Sequence, residues 1–213
     1  QSLIHKTQPD EEILRDSTLH YRVINLSQGR WQDAMTSYYH KSVGGYHGAK
    51  LRKFQELIDF HLDTEIAHFY RDAERMLGSD SGRRQLLSQM QLLNMLNTRY
   101  LILPGGEGVG ELPLLNEQAN GNAWFVKDVR VVPDADEEIL ALDNINTKTE
   151  AVVRRNYVQE NGLKQHYSGE GTIRLTAYAP DRLTYHYQCP EPQFAVFSEI
   201  YYPEGWIAFV DGR

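Results

Sequence analysis

A chain of 213 residues with 41 % hydrophobic content is long enough to bury a core in one large or two small globular domains, which excludes a disordered polymer. Its 29 acidic side chains outnumber 22 basic ones and leave a net charge of −7, which argues against nucleic acid or anionic lipid as a main partner. The single cysteine, Cys189, excludes an intrachain disulfide and a cysteine-based zinc site.

In chain order, a polar opening from Gln8 to Asp16 leads into Tyr21-Arg22-Val23-Ile24-Asn25-Leu26, whose alternation predicts a short half-buried strand. Gly29 to Gly48 is aromatic and punctuated by glycine without a sustained period, so tertiary contacts must hold it. From Ala49 to Leu77 the apolar residues Leu51, Phe54, Ile58, Leu62, Ile66, Phe69, Ala73 and Met76 step by three or four, which predicts an amphipathic helix ended by Gly78. A second helix is predicted from Arg83 to Asn97, and Tyr100 to Leu103 reads as a buried strand closed by Pro104. The glycine-rich Gly105 to Gly110 lacks the G-x-G-x-x-G order and the following helix of a dinucleotide site, since Pro113 continues it as loop.

Ala123 to Val132 then predicts a strand, and Pro133 to Glu138 a short helix with carboxylates in its first turn, where the helix dipole favours them. Beyond Thr149 the chain turns β-rich. Thr149–Tyr157, Thr172–Tyr178, Arg182–Gln188, Phe194–Tyr201 and Trp206–Val210 read as strands, with a hairpin turn at Pro180-Asp181. The expected class is α+β: an α/β region over residues 1–145, then an antiparallel β-sandwich-like region over 146–213. The longest apolar runs fall far short of the roughly 20 residues of a membrane-spanning helix.

Six of the eight histidines precede residue 70, so metal binding is the first chemistry to weigh. His61, Glu65, His68 and Asp72 share one helix face, but Arg71 and Arg75 compete for the carboxylates and no zinc signature is matched. The expected state is a solvated face, with no metal and no cofactor. No nucleophile elbow, phosphate loop or calcium loop occurs, and no residue is assigned a catalytic role. His40-Lys41-Ser42-Val43-Gly44-Gly45-Tyr46-His47-Gly48 instead reads as a purpose-built loop. Its glycines permit positive φ or close backbone approach, and its His, Lys and Tyr side chains can hydrogen-bond a sugar or phosphate. With Trp31, whose ring suits carbohydrate stacking, the candidate ligand-binding residues are Trp31, His40, Lys41, Tyr46, His47 and Lys50.

Four segments, Ser37 to Lys50, Leu93 to Tyr100, Gly121 to Val126 and Phe197 to Trp206 with Asp211-Gly212 after it, together resemble the large extracytoplasmic region near the C-terminus of YfhO-type bacterial membrane proteins. The resemblance spans nearly the whole chain. It implies a polytopic parent organised like membrane glycosyltransferases that use lipid-linked sugar donors, active in cell-envelope glycosylation. It places this domain on the extracytoplasmic side of the cytoplasmic membrane, in the periplasm of a Gram-negative cell. The catalytic acid of such enzymes belongs to an early loop between membrane helices, which is not among these residues. The implied role is therefore non-catalytic, through binding of a glycan or envelope polymer, with the parent membrane domain as a partner. The alternatives are a structural module that docks on that portion or on another envelope protein, and a carbohydrate-active hydrolase. Gln1 in place of Met, and an end just past a strand-like run, fit a piece of a larger protein whose sheet has further strands.

Overall fold

The computed structural model describes residues 5–45 and 51–212. Thr7 caps α1 (Gln8–Ile13) reciprocally: its backbone N–H donates to the Asp10 carboxylate at 2.8 Å, and its hydroxyl accepts from the Asp10 N–H. Such a box satisfies donors that a helix start otherwise leaves free. β1 (Arg22–Asn25) follows and pairs in parallel with β2 (Thr98–Leu103), which pairs antiparallel with β3 (Leu112–Leu115). Parallel neighbours need a long crossover, here built from helices. On β1 and β2, Ile24 and Leu101 face the helices while Val23 and Ile102 join Ile13 of α1 in a second small cluster on the other face. The strand expected to be half-buried is buried at all four β1 positions, with Arg22 and Asn25 as polar groups inside the fold.

The crossover runs through α2 (Thr36–Tyr39), α3 (Arg52–Leu57), a π-helical turn (Ile58–Leu62) and α4 (Asp63–Met76). The helix expected up to Leu77 is thus present from Arg52, with one wide turn at Ile58–Leu62. Ile58, Leu62, Ile66, Phe69 and Met76 lie in the main core, and each side chain buried in this way contributes about 2 kcal/mol. The single helix expected over Arg83–Asn97 is two: α5 (Asp80–Ser88), capped by Ser79, and α6 (Gln91–Met95). Met90 leaves helical backbone at ψ 60°, and the restarted helix takes its cap from elsewhere. The Glu65 carboxylate of α4 accepts the N–H groups of Leu92 at 2.7 Å and Leu93 at 3.2 Å. A side chain distant in sequence made the break invisible to periodicity.

Past the core, β4 (Ala123–Val126) pairs antiparallel with β9 (Phe194–Phe197), and β5 (Asp128–Val132) pairs in parallel with β6 (Glu150–Arg154) across α7 (Ala135–Leu140). The strand expected over Ala123–Val132 is therefore two, parted at Lys127 because its halves have different partners. Both pairs join residues on opposite sides of position 145. The strand expected over Thr149–Tyr157 stops at Arg154 and becomes α8 (Arg155–Asn161), ended by Gly162 in left-handed backbone. The β-favouring Val152, Val153 and Tyr157 outweigh that stop signal on paper. Leu112–Leu115, expected as loop, is an edge strand that tolerates Pro113 because it is paired on β2 alone. β7 (Thr172–Ala179) and β8 (Arg182–Gln188) form the expected hairpin on Pro180-Asp181, with Ala179 opposite Arg182. Trp206–Val210 forms no strand, and Ile207 and Phe209 are 80 % and 72 % exposed. The mixed α+β class stands. No helix among the described residues is long and apolar enough to cross a membrane.

Candidate functional site

The densest arrangement of charge sits where the chain enters β1. His20 adopts left-handed backbone, φ 53°, a conformation a side chain other than glycine accepts only when its surroundings hold it. They do so through its carbonyl, which accepts from the amides of Asn97, at 3.0 Å, and Asn122. The imidazole side chain is 7 % exposed. Its Nε2 faces a Glu199 carboxylate oxygen and its Nδ1 faces the Lys41 ammonium. An ammonium can only donate, so Nδ1 accepts and the ring proton lies on Nε2, directed at Glu199. Arg22 donates to the other Glu199 oxygen at 3.1 Å and to the carbonyls of Leu96 and Ser198, each at 2.8 Å.

Burial alone would push the Glu199 carboxyl up, but hydrogen bonding to His20 and the charges of Arg22 and Lys41 outweigh it and hold it below the usual carboxylate range. Burial lowers Arg22, against the pull of Glu199. Tyr185, its hydroxyl buried and without a hydrogen-bond partner, is pushed up to about 12 by burial and by the Glu199 charge. Tyr178 of β7 roofs the group: its ring stacks on His20 at 4.6 Å between centroids, and the Lys41 ammonium lies 3.2 Å from its centroid. With both ring nitrogens of His20 engaged, the cluster has no free base. It holds two cations, one carboxylate and an aromatic plane in fixed positions, which suits orientation and binding rather than proton transfer.

A cleft of about 380 Å³ opens beside it, lined by Thr18, Leu19, Asn120, Gly121, Asn122 and residues Ile173 to Leu175 of β7. Gly121 turns its wall at φ +87°, and Asn122 belongs to both cleft and cluster. A larger cleft of about 580 Å³ lies along β5, with Asp128, Arg130, Glu150, Arg155 and His166 in its wall. There Asp128 pairs with His166 at 2.8 Å and Glu150 with Arg130 at 2.6 Å.

Of the expected binding residues, Lys41 is in the cluster. His40 is buried against Asp10 at 2.8 Å, with their side chains 3 % and 9 % exposed, so it fastens the loop to α1. Trp31 packs on the main core and donates from Nε1 to Asp63 at 2.7 Å. Tyr46, His47 and Lys50 lie outside the described residues. The glycine pair behaves as its loop requires: Gly45 has φ +116°, and a Cβ on Gly44 would collide with the Arg30 carbonyl. Trp31→Phe keeps the ring in the core and removes one hydrogen bond. It is expected to cost about 1 kcal/mol in urea denaturation and to leave ligand binding unchanged.

The helix face expected at solvent is divided. His61 is buried, and its Nε2 donates to the Ile139 carbonyl at 2.7 Å. Glu65 caps α6, and burial pushes it up to about 7 against the two N–H groups it accepts. His68 is exposed, and Asp72 pairs with Arg71 and Arg75 at 2.8 and 3.1 Å. Among the described residues no three His, Cys, Asp or Glu side chains are arranged to hold a metal ion. Sequence reasoning missed His20, Arg22, Tyr178 and Glu199. The available signal was a lone charged residue in each of two mainly apolar strand-like runs, Arg22 in Tyr21 to Leu26 and Glu199 in Phe194 to Tyr201. Compared with known families, curated proteins and solved structures, the chain matches none.

Proposed function

We propose that this chain is the extracytoplasmic domain of a YfhO-like polytopic membrane protein of cell-envelope glycosylation, non-catalytic itself, and that it binds the carbohydrate acceptor. The observation that carries the reading is a convergence. The four segments on which the resemblance rests are far apart in sequence, yet each sends a group to one place: Lys41 from the first, the Leu96 carbonyl and Asn97 from the second, Asn122 from the third, and Ser198 with Glu199 from the fourth. A cluster of amides and paired charges roofed by a tyrosine and set against an open cleft matches what sugar recognition needs, a stacking plane beside planar hydrogen-bonding groups.

On a glycan array, the chain is expected to retain a defined subset of envelope-type glycans. Lys41→Ala and Tyr178→Ala, checked for fold by circular dichroism, are expected to weaken that retention at least about tenfold, the loss of one charge-assisted contact. A folded chain silent across the array would defeat the reading. One observation favours a second reading, a module that docks on its parent or on another envelope protein: Tyr201, Ile207, Phe209 and Val210 are 66 %, 80 %, 72 % and 60 % exposed along one stretch, more apolar surface than an isolated module needs to show.

A further inference from the structure

We infer that the cleft between Thr18–Leu19, Asn120–Asn122 and β7 is the ligand site itself, and that it takes a hydroxylated ligand carrying one oxyanion, which Arg174 reads. This rests on the carbohydrate reading and narrows it to acidic ligands.

Three features of the cleft carry it. The first is size and lining: about 380 Å³ accommodates a single sugar ring. Its wall offers the hydroxyl of Thr18, the amides of Asn120 and Asn122 and the backbone of Gly121, groups that both donate to and accept from hydroxyls. The second is charge. Arg174 stands exposed on β7 in the cleft wall, and among the described residues no carboxylate or carbonyl engages its guanidinium. The arginines that serve the fold, Arg22, Arg99 and Arg130, all hold carboxylates. The adjoining cluster holds two cations, Arg22 and Lys41, against the one carboxylate of Glu199, so this corner is positive in a chain of net charge −7. A guanidinium fork beside a cationic cluster favours a planar or tetrahedral oxyanion over a neutral group.

The third feature is an unfilled hydrogen bond. Asn120 donates from Nδ2 to the Thr147 hydroxyl at 3.0 Å, but its Oδ1 is shielded from solvent and has no donor. Buried acceptors are nearly always paired, and a turn of the Asn120 side chain toward the cleft it lines brings this oxygen to a ligand hydroxyl. The second, larger cleft also has an exposed arginine, Arg155, but its wall carries the carboxylates of Asp128 and Glu150 as well, so it lacks the positive excess of this corner.

The test is a set of titrations of the ¹⁵N-labelled chain with glucuronate, glucose 6-phosphate, glucose and inorganic phosphate. The expected result is that one or both acidic sugars shift the amide resonances of Gly121, Asn122 and Arg174 and bind at least about tenfold more tightly than glucose. The preference between the two identifies the oxyanion as carboxylate or phosphate. Arg174→Gln, which faces solvent and leaves the core intact, is expected to remove that preference, and Arg174→Lys to restore it in part. If glucose shifts the same resonances as strongly as the acids, the carbohydrate reading survives and the acidic preference is wrong. If inorganic phosphate binds as tightly as the sugar acids, the hydroxyl contacts are wrong. Shifts elsewhere, with this cleft silent, overturn the site.

Discussion

Replacing Glu199 with alanine is expected to lower the free energy of unfolding by roughly 3–5 kcal/mol, because it leaves Arg22 and Lys41 in a poorly solvated place with no counter-charge and the His20 ring N–H without its acceptor. The carboxylate side chain is 16 % exposed and that of Arg22 11 %, so water cannot easily replace what is lost. Glu199→Gln keeps the shape and one acceptor and is expected to fall between wild type and alanine. The two differ further with pH. Because the folded-state pKa of Glu199 is lowered, its contribution is fully present above the ordinary carboxylate range and lost as pH falls through the lowered value. The glutamine variant lacks that acid-side loss. Urea midpoints for the three chains at neutral pH are the direct measurement. A Glu199→Ala change within about 0.5 kcal/mol, the range of an ordinary surface substitution, would mean that the cluster contributes little to the fold.

Glu65 is expected to act with the opposite sign. Its folded-state pKa is raised from 4.5 to about 7, so the folded chain holds a proton that the unfolded chain has released across that window. Stability therefore falls as pH rises from about 4.5 through 7, by roughly 3 kcal/mol at most. Glu65→Gln retains an acceptor for the N–H groups of Leu92 and Leu93 and cannot titrate. The difference in unfolding free energy between wild type and Glu65→Gln is then expected to shift in favour of the variant between pH 4.5 and 7.5, all other titrations cancelling. Parallel profiles would show that the carboxylate is better solvated than its place between α4 and α6 indicates.

These two carboxylates also mark what the sequence made legible. The α+β class, the helical run ending at Met76, the hairpin on Pro180-Asp181 and the strand at Tyr100 to Leu103 follow from periodicity and turn chemistry, which are local. The break between α5 and α6 depends on Glu65, more than twenty positions upstream of the groups it caps, and the division of Ala123–Val132 depends on β9 and β6. No local pattern encodes either. The site was legible in one residue, Lys41, because its loop carries glycines at positions that demand them. Arg22 and Glu199 lie in runs read as strands, and that reading does not distinguish a charge in water from a charge paired inside the fold. Trp31 and His40 have the composition of ligand contacts, yet Asp63 and Asp10, both distant in sequence, occupy their polar atoms.

The claim that ties the fold to a function is that this domain holds a glycan and performs no chemistry on it. Saturation-transfer NMR on one sample of the 213-residue chain with the best array glycan reports both at once, binding from the transferred signal and turnover from the glycan's own spectrum over a day. The account predicts transfer to the sugar protons that disappears in Tyr178→Ala, with the glycan spectrum unchanged throughout. Transfer absent in the folded wild-type chain, or glycan cleaved or extended at a rate proportional to protein concentration, would contradict it.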